Sequence, residues 1–167
     1  MIYALDVGYH NNIARVASIG FKNWSDNRAS YENISYLKDI APYEAGAFYK
    51  RELPSLLFAL NSLDDIETII IDGYVWLEEP KIFGLGMYLY EALNRKYPII
   101  GVAKSRFKNT PKKCELFRGE SRKPLFITSI GLDLEEAKRL ILNMHGKYRI
   151  PTLLKRVDSL SRFDYIE

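Results

Sequence analysis

Three acids in this chain stand where an ionised side chain is out of place. Asp6 interrupts the apolar segment IYALDVGY, Asp72 ends the β-branched run TIIID, and Glu52 lies four residues after Phe48 and four before Leu56. A strand covered on both faces has no solvent for a carboxylate, and parallel sheets place their ligands at the carboxyl ends of strands. The spacing of Glu52 puts it on the helix face that should point inward. An unpaired buried carboxylate is costly unless it protonates, pairs or binds a metal. Three such groups from separate elements meet at one point only if a cation neutralises them. Hard divalent ions, Mg²⁺ above all, take oxygen ligands of this kind and leave positions open for phosphate. The chemistry such a centre supports is hydrolysis of a phosphodiester.

Each acid taken alone has a plainer reading. Asp72 at a strand end is a turn former or cap, Asp6 can pair with a buried arginine, and Glu52 follows Lys50-Arg51 and can be a surface acid. Spacing alone does not bring the three together.

The elements that must position them are legible in outline. Residues 2–8 and the run IARVASIGF flank the turn residues His10-Asn11-Asn12 and read as a hairpin. Residues 31–37 alternate and suggest a third antiparallel strand. From 46 to 61 the apolar residues Phe48, Leu53, Leu56, Leu57 and Leu60 have the spacing of an amphipathic helix. Residues 66–71 read as a buried strand stopped by Asp72-Gly73, 83–93 as a helix, and 98–102 (PIIGV) as another buried strand. Strand, helix, strand implies a parallel pair with a crossover helix. CELFRG and KPLFITS follow as a hairpin. Asp133 is a suitable N-cap with Glu136 three residues on, Gly146 is expected to close that helix, and a last helix starts near Thr152.

At 167 residues, with no repeat or long linker, the chain is expected to be one domain. No run of about eighteen apolar residues predicts a membrane span. MIYALDVGYH lacks the basic start of a signal peptide, and a single cysteine, Cys114, fits a reducing compartment, so a cytoplasmic, monomeric protein is expected. Cys114 itself reads as a small apolar strand residue. Charge is unevenly spread: residues 1–103 hold nine Lys/Arg against thirteen Asp/Glu, and residues 104–123 hold eight against two. A basic block of this density can track a phosphate backbone, although many such blocks are only solvated loops.

The segments ALDVGY, PYEAGAFYKRELPSLLFAL, TIIIDGY, IFGLGMYL, YPIIGVAKS and HGKYRIP, in this order, resemble the successive blocks of the endonuclease V family. The spacing of Tyr43, Gly46, Arg51 and Glu52, and IGVAKS after an apolar strand, are its most specific parts. The resemblance implies an α/β, ribonuclease H-like fold: a central mixed sheet, an antiparallel meander followed by parallel strands, flanked by helices. It implies an endonuclease of DNA repair that uses Mg²⁺ (or Mn²⁺) to cut DNA or RNA, as single strand or damaged duplex, 3′ to a deaminated purine such as inosine. The family's carboxylates match Asp6, Glu52 and Asp72, and its lysine matches Lys104. Its strand-separating wedge matches Pro42-Tyr43, and Gly46 and Gly73 match positions whose amides line the pocket for a flipped base. The basic stretch from Lys104 through Ser105, Arg106 and Lys108 would hold the strand.

Departures from the family pattern set the alternative. Asp72-Gly73-Tyr74-Val75 replaces Asp-Gly-His-Gly, and the Val75 side chain is expected to fill the pocket. Glu78 stands where a histidine is usual, in a segment VWLEEPK that reads as one residue longer. A second family histidine aligns roughly with Ile130, and the chain starts at the first strand without the helical segment common in the family. His10 and His145 read as structural. A nucleic-acid-binding module without turnover, on the same scaffold, is therefore the competing expectation.

Overall fold

The computed structural model describes residues 1–78 and 82–164. The three acid-bearing segments find their places in a seven-stranded sheet of order β3-β2-β1-β4-β5-β7-β6. Strands β1 (Ile2–His10), β2 (Ile13–Phe21) and β3 (Tyr31–Lys38) form the antiparallel meander. Asn11 and Asn12 turn the first hairpin with positive φ. Strand β4 (Thr68–Asp72) then pairs in parallel with β1 on one side and with β5 (Ile99–Ala103) on the other. The crossovers are helices α1 (Tyr49–Leu60) and α2 (Leu85–Ala92). A two-residue strand β6 (Glu115–Leu116) and β7 (Leu125–Ile130) complete the sheet, antiparallel to each other, with β7 also antiparallel to β5. Helices α3 (Leu134–Leu142) and α4 (Thr152–Ser161) follow.

Both faces of the central strands are covered, which is why their apolar runs are continuous rather than alternating. Ile2, Ala4, Ile70, Ile100 and Ile127 point into a core roofed by α3 and α4. Leu5, Val16, Ile69, Ile71 and Ile99 point the other way, under α1 and α2. The outermost strand β3 is half exposed on both sides, and its alternation is correspondingly clear in the sequence.

Four local expectations are corrected. Helix α1 starts at Tyr49 and not at residue 46, because Gly46 sits at φ +79° in the turn before it. Helix α3 ends at Leu142 with Asn143 as its cap, so Gly146 lies in the following loop and does not close the helix. Asp133 caps α3 as expected, accepting from the amides of Glu135 (3.1 Å) and Glu136 (3.4 Å), but the Glu136 carboxylate is engaged by Arg139. Cys114 is buried, in a 3₁₀ turn (Lys112–Cys114) and not in a strand. Much of the segment proposed to be one residue longer, residues 79–81, lies outside the described residues. Among the described residues no helix is long and apolar enough to cross a membrane.

Candidate active site

Strand register dictates where the first acids meet. β1 and β4 run in parallel with Leu5 opposite Ile71, so Asp6 and Asp72 follow side by side, one residue further on. Asp72 is paired in turn with Val102 on β5, two residues before Lys104. Side chains two apart share a face. Asp6 therefore continues the row of Ala4, Asp72 that of Ile70, and Lys104 that of Val102. All three border a small cleft of about 30 Å³ at the carboxyl ends of these strands. That is about one water molecule's share of space.

A third acid, Asp158, enters the same cleft from α4. Lys104 Nζ lies 3.2 Å from Asp158 Oδ1 and 3.7 Å from Asp72 Oδ2. Arg162 Nη2 holds the other Asp158 oxygen at 2.8 Å. Asp6 is fixed at both oxygens, accepting from the Val7 amide (2.9 Å) and from the Ser161 hydroxyl (2.9 Å). The close seat of α4 on β1 depends on Gly8. A Cβ there would meet the Ser161 carbonyl oxygen at 2.1 Å.

Asp158 was not among the residues selected from the sequence, yet a signal was present. It lies four residues after Leu154, one turn along the same inward helix face, which is half of the test that picks out Glu52. Its neighbours Lys155, Arg156, Ser159 and Arg162 disguise it as part of a solvated face. Ile130, aligned with the family's missing histidine, is paired with Ile99 at the opposite end of β5 from Lys104. It has no part in the cluster.

Glu52 reaches the cluster from the opposite layer. It is 8% exposed on α1, beside the Tyr9 ring, over whose other neighbour, the Arg51 guanidinium, the distance to the ring centre is 4.0 Å. The buried Tyr9 hydroxyl closes no hydrogen bond of ordinary geometry. Burial first, and then the charge of Asp6, pushes the Glu52 carboxyl up to about 8. Burial and the charge of Asp72 push Asp6 up to about 7, against the hydrogen bond from Ser161. Burial also raises Asp72, although Lys104 pulls it down. For Asp158 burial pulls upward, but Lys104 and Arg162 bring it below the ordinary carboxylate range. Among the described residues no three acid, histidine or cysteine side chains are close enough to ligate one ion as they are placed. The donor set is nonetheless all carboxylate, mutually repelling and short of counter-charge, which is the chemistry a hard divalent cation fits.

Beside Asp72 opens a second, larger cavity of about 420 Å³, lined chiefly by aromatic rings. Gly46 and Gly73 border it with positive φ, and Tyr43, 66% exposed, stands at its edge next to exposed Pro42. Val75 does not fill it. Its side chain points into the core against Gly86, where an added Cβ would come within 2.6 Å of the valine methyl. Tyr74 forms part of the wall and is anchored at its hydroxyl, which donates to the Ser105 carbonyl (2.7 Å) and accepts from the Phe107 amide (3.1 Å). The cavity wall and the loop that follows Lys104 are thus one hydrogen-bonded unit. Glu78 lines a different cavity, near Trp76 and Lys113.

The basic block is less available than its composition suggests. Arg106 is engaged by Glu115 and donates to the Thr110 carbonyl, Arg118 is buried, and Lys104 belongs to the acid cluster. Ser105 and Lys108 are exposed on the loop after β5. His10 contacts the ring of Phe163, and His145 shares a hydrogen bond with Thr152 (2.9 Å).

Comparison with known proteins gives the family and the fold. The family model for endonuclease V matches residues 1–129. Endonuclease V of Streptomyces avermitilis is 33% identical over 143 residues, covering 72% of this chain; the chain spans 61% of that relative's length. The crystal structure of endonuclease V from Streptomyces avermitilis superposes with a TM-score of 0.75 at 28% identity, covering 96% of this chain and 78% of the other. Ciona intestinalis endonuclease V, in complex with a 24mer DNA containing an inosine followed by a ribo-adenosine, gives 0.78 at 20% identity, covering 96% and 83%. The fold is the ribonuclease H-like one expected from the sequence. With the family model extending from the first strand into the seventh, the chain belongs to the endonuclease V family.

Proposed function

We propose that the chain is a metal-dependent endonuclease that hydrolyses a phosphodiester bond of DNA or RNA next to a deaminated purine. The observation that carries this reading is the meeting of Asp6, Asp72 and Asp158 with Lys104 at one sheet edge, with Glu52 close by and a base-sized aromatic cavity adjoining. Asp6, Glu52 and Asp72 would hold Mg²⁺ (or Mn²⁺). Such an ion, when bound, supplies charge stabilisation at phosphoryl oxygens and lowers the pKa of water. Lys104 would donate to the phosphate, its ion pairs with Asp72 and Asp158 keeping it aimed into the cleft. The cavity would take the extracted base, with Gly46 and Gly73 allowing close approach and Pro42-Tyr43 pressing into the gap left in the stack. Ser105, Arg106 and Lys108 follow Lys104 on the loop that would run beside the strand.

Incubating the protein with inosine-containing and ordinary single strands, in Mg²⁺ or Mn²⁺, tests this. Nicking near inosine that disappears in Asp72→Asn is expected. One observation favours a second reading, a binding module without turnover: Lys104 already pairs with two of the acids, and among the described residues no three ligands are gathered. Salt-sensitive binding with no Asp72-dependent nicking under either metal would decide for the module.

A further inference from the structure

Arg118 is 3% exposed, and its guanidinium serves the loop between α3 and α4. It donates to the carbonyls of Met144 (2.7 Å), Gly146 (3.0 Å), Tyr148 (2.6 Å) and Arg149 (3.3 Å). Its Nε has no acceptor, and no carboxylate engages it among the described residues. Carbonyl oxygens, and no carboxylate, therefore balance this buried charge, and the same bonds fix the backbone of the loop. The loop so braced also carries Arg149, whose Nη1 donates to the Lys104 carbonyl (3.1 Å) and the Pro124 carbonyl (3.2 Å). Ile150, the next residue, forms part of the wall of the cleft that Asp6, Asp72 and Asp158 border.

Fixed backbone on one side of this loop presents an unusual group on the other. Tyr148 is 70% exposed, far more than a buried brace of this kind needs. Lys147 Nζ lies 5.3 Å from its ring centre. The turn around Gly119 packs on Lys147 and Tyr148, and the exposed Arg122 and Lys123 follow in it. None of Lys147, Arg122 and Lys123 has an ion-pair partner among the described residues. An exposed aromatic ring on a braced backbone, among unpaired cations, is the arrangement by which proteins hold single strands, by stacking and by phosphate contact.

We propose that the loop braced by Arg118 is a second nucleic-acid contact, flanking the cleft, where Tyr148 stacks on a base of a single-stranded segment and Lys147 holds a phosphate. The ligand class rests on the reading of the chain as a nucleic-acid enzyme; the site itself lies outside the acid cluster and the base cavity.

The test uses the whole chain in EDTA, where cleavage is suppressed, with a fluorescein-labelled 20-nucleotide single-stranded DNA read by anisotropy. Tyr148→Ala weakens binding about tenfold at 0.1 M salt with the salt slope unchanged, and Tyr148→Phe restores it. Lys147→Gln lowers the slope of log affinity against log salt by about 0.7, one single-strand phosphate contact. Thermal denaturation of each variant checks that the exposed substitutions leave the fold intact. Wild-type affinity and slope in both Tyr148→Ala and Lys147→Gln, or no binding by the wild type, overturns the proposal. A parallel nicking assay separates it from the nuclease reading. Tyr148-dependent binding by a protein that never nicks leaves the contact standing and removes the nuclease. Nicking by a Tyr148→Ala protein with unaltered affinity does the reverse.

Discussion

Glu52 and Asp6 are held by the fold against their own ionisation, and this has a consequence for stability that can be signed. Their carboxyls are raised from 4.5 to about 8 and from 3.8 to about 7, first by burial. A group whose pKa is raised by folding contributes stability that is complete below its unfolded pKa and is lost as pH rises through the folded one. In the metal-free protein these two acids therefore favour the folded state below about pH 4 and cease to do so between pH 4 and 8. Glu52→Gln removes the buried ionisation. In EDTA its Tm is expected to match the wild type near pH 5 and to exceed it at pH 8, by on the order of 5 °C for a stabilisation of about 2 kcal/mol. A Glu52→Gln protein with a lower Tm at pH 8 would contradict the assigned burial. Tyr74 makes a different residue-scale case. Its hydroxyl satisfies an amide and a carbonyl on the loop that follows Lys104. Tyr74→Phe leaves the Ser105 carbonyl without this donor and the Phe107 amide with the Thr110 hydroxyl alone (3.2 Å), at about 1–3 kcal/mol, and loosens the lysine's loop without touching the acids. Single-turnover cleavage should fall several-fold while substrate affinity changes little; an affinity loss with unchanged turnover would place Tyr74 in base binding instead.

At the level of elements, the site depends on α4 lying hard against β1. Gly8 permits it, since any Cβ would collide with the main-chain oxygen of Ser161. Gly8→Ala must push the helix end away and with it Ser161 and Asp158, so Asp6 loses a hydrogen bond and Lys104 its closer partner. A destabilisation of about 1–3 kcal/mol in urea, with loss of nicking, is expected. Gly20→Ala is the control, because its Cβ would meet the end of the Tyr3 side chain, remote from the acids. Equal losses from the two substitutions would remove the special role of the α4 contact. The strands and crossover helices that set this geometry were readable because burial on two faces or one imprints a period on the sequence: the unbroken run at Ile69–Ile71 and the alternation at Tyr31–Lys38 are physical opposites. Helix ends were less readable. The start of α1 was set by the φ of Gly46, and the end of α3 by a loop whose carbonyls Arg118 gathers from the distant loop between β6 and β7. Neither constraint is local in sequence.

At the level of the whole molecule, the cluster forms because β1, β4 and β5 run in parallel in the middle of the sheet and their shared ladders stop at one level, past Leu5, Asp72 and Val102, while β1 continues to His10 against β2. Asp72 was legible because it ends an apolar run and Asp6 because it interrupts one, while Lys104 came from the family resemblance. Asp158 was not legible, because only the closure of the last helix over the first strand brings residues so distant in the chain together. That closure also determines how charge is shared. Without a metal, Lys104 is the cation that Asp72 and Asp158 share, its contact with Asp72 being the longer, at 3.7 Å, while Arg162 also holds Asp158 at 2.8 Å. A divalent ion entering beside Asp6 and Asp72 would relieve their repulsion and leave Lys104 paired with Asp158. Binding to the folded state alone stabilises by linkage, about 2.7 kcal/mol at a hundredfold excess over Kd. Mg²⁺ or Mn²⁺ should thus raise the wild-type Tm by several degrees at pH 8. Asp72→Asn and Asp6→Asn should each abolish most of that shift. Lys104→Gln should enlarge it, since the metal-free cluster then has lost its internal counter-charge while the acids remain. If Lys104→Gln instead abolishes the shift and the aspartate variants keep it, the ion binds elsewhere, and the acids at the sheet edge form an ion-pair network with the lysine at its centre.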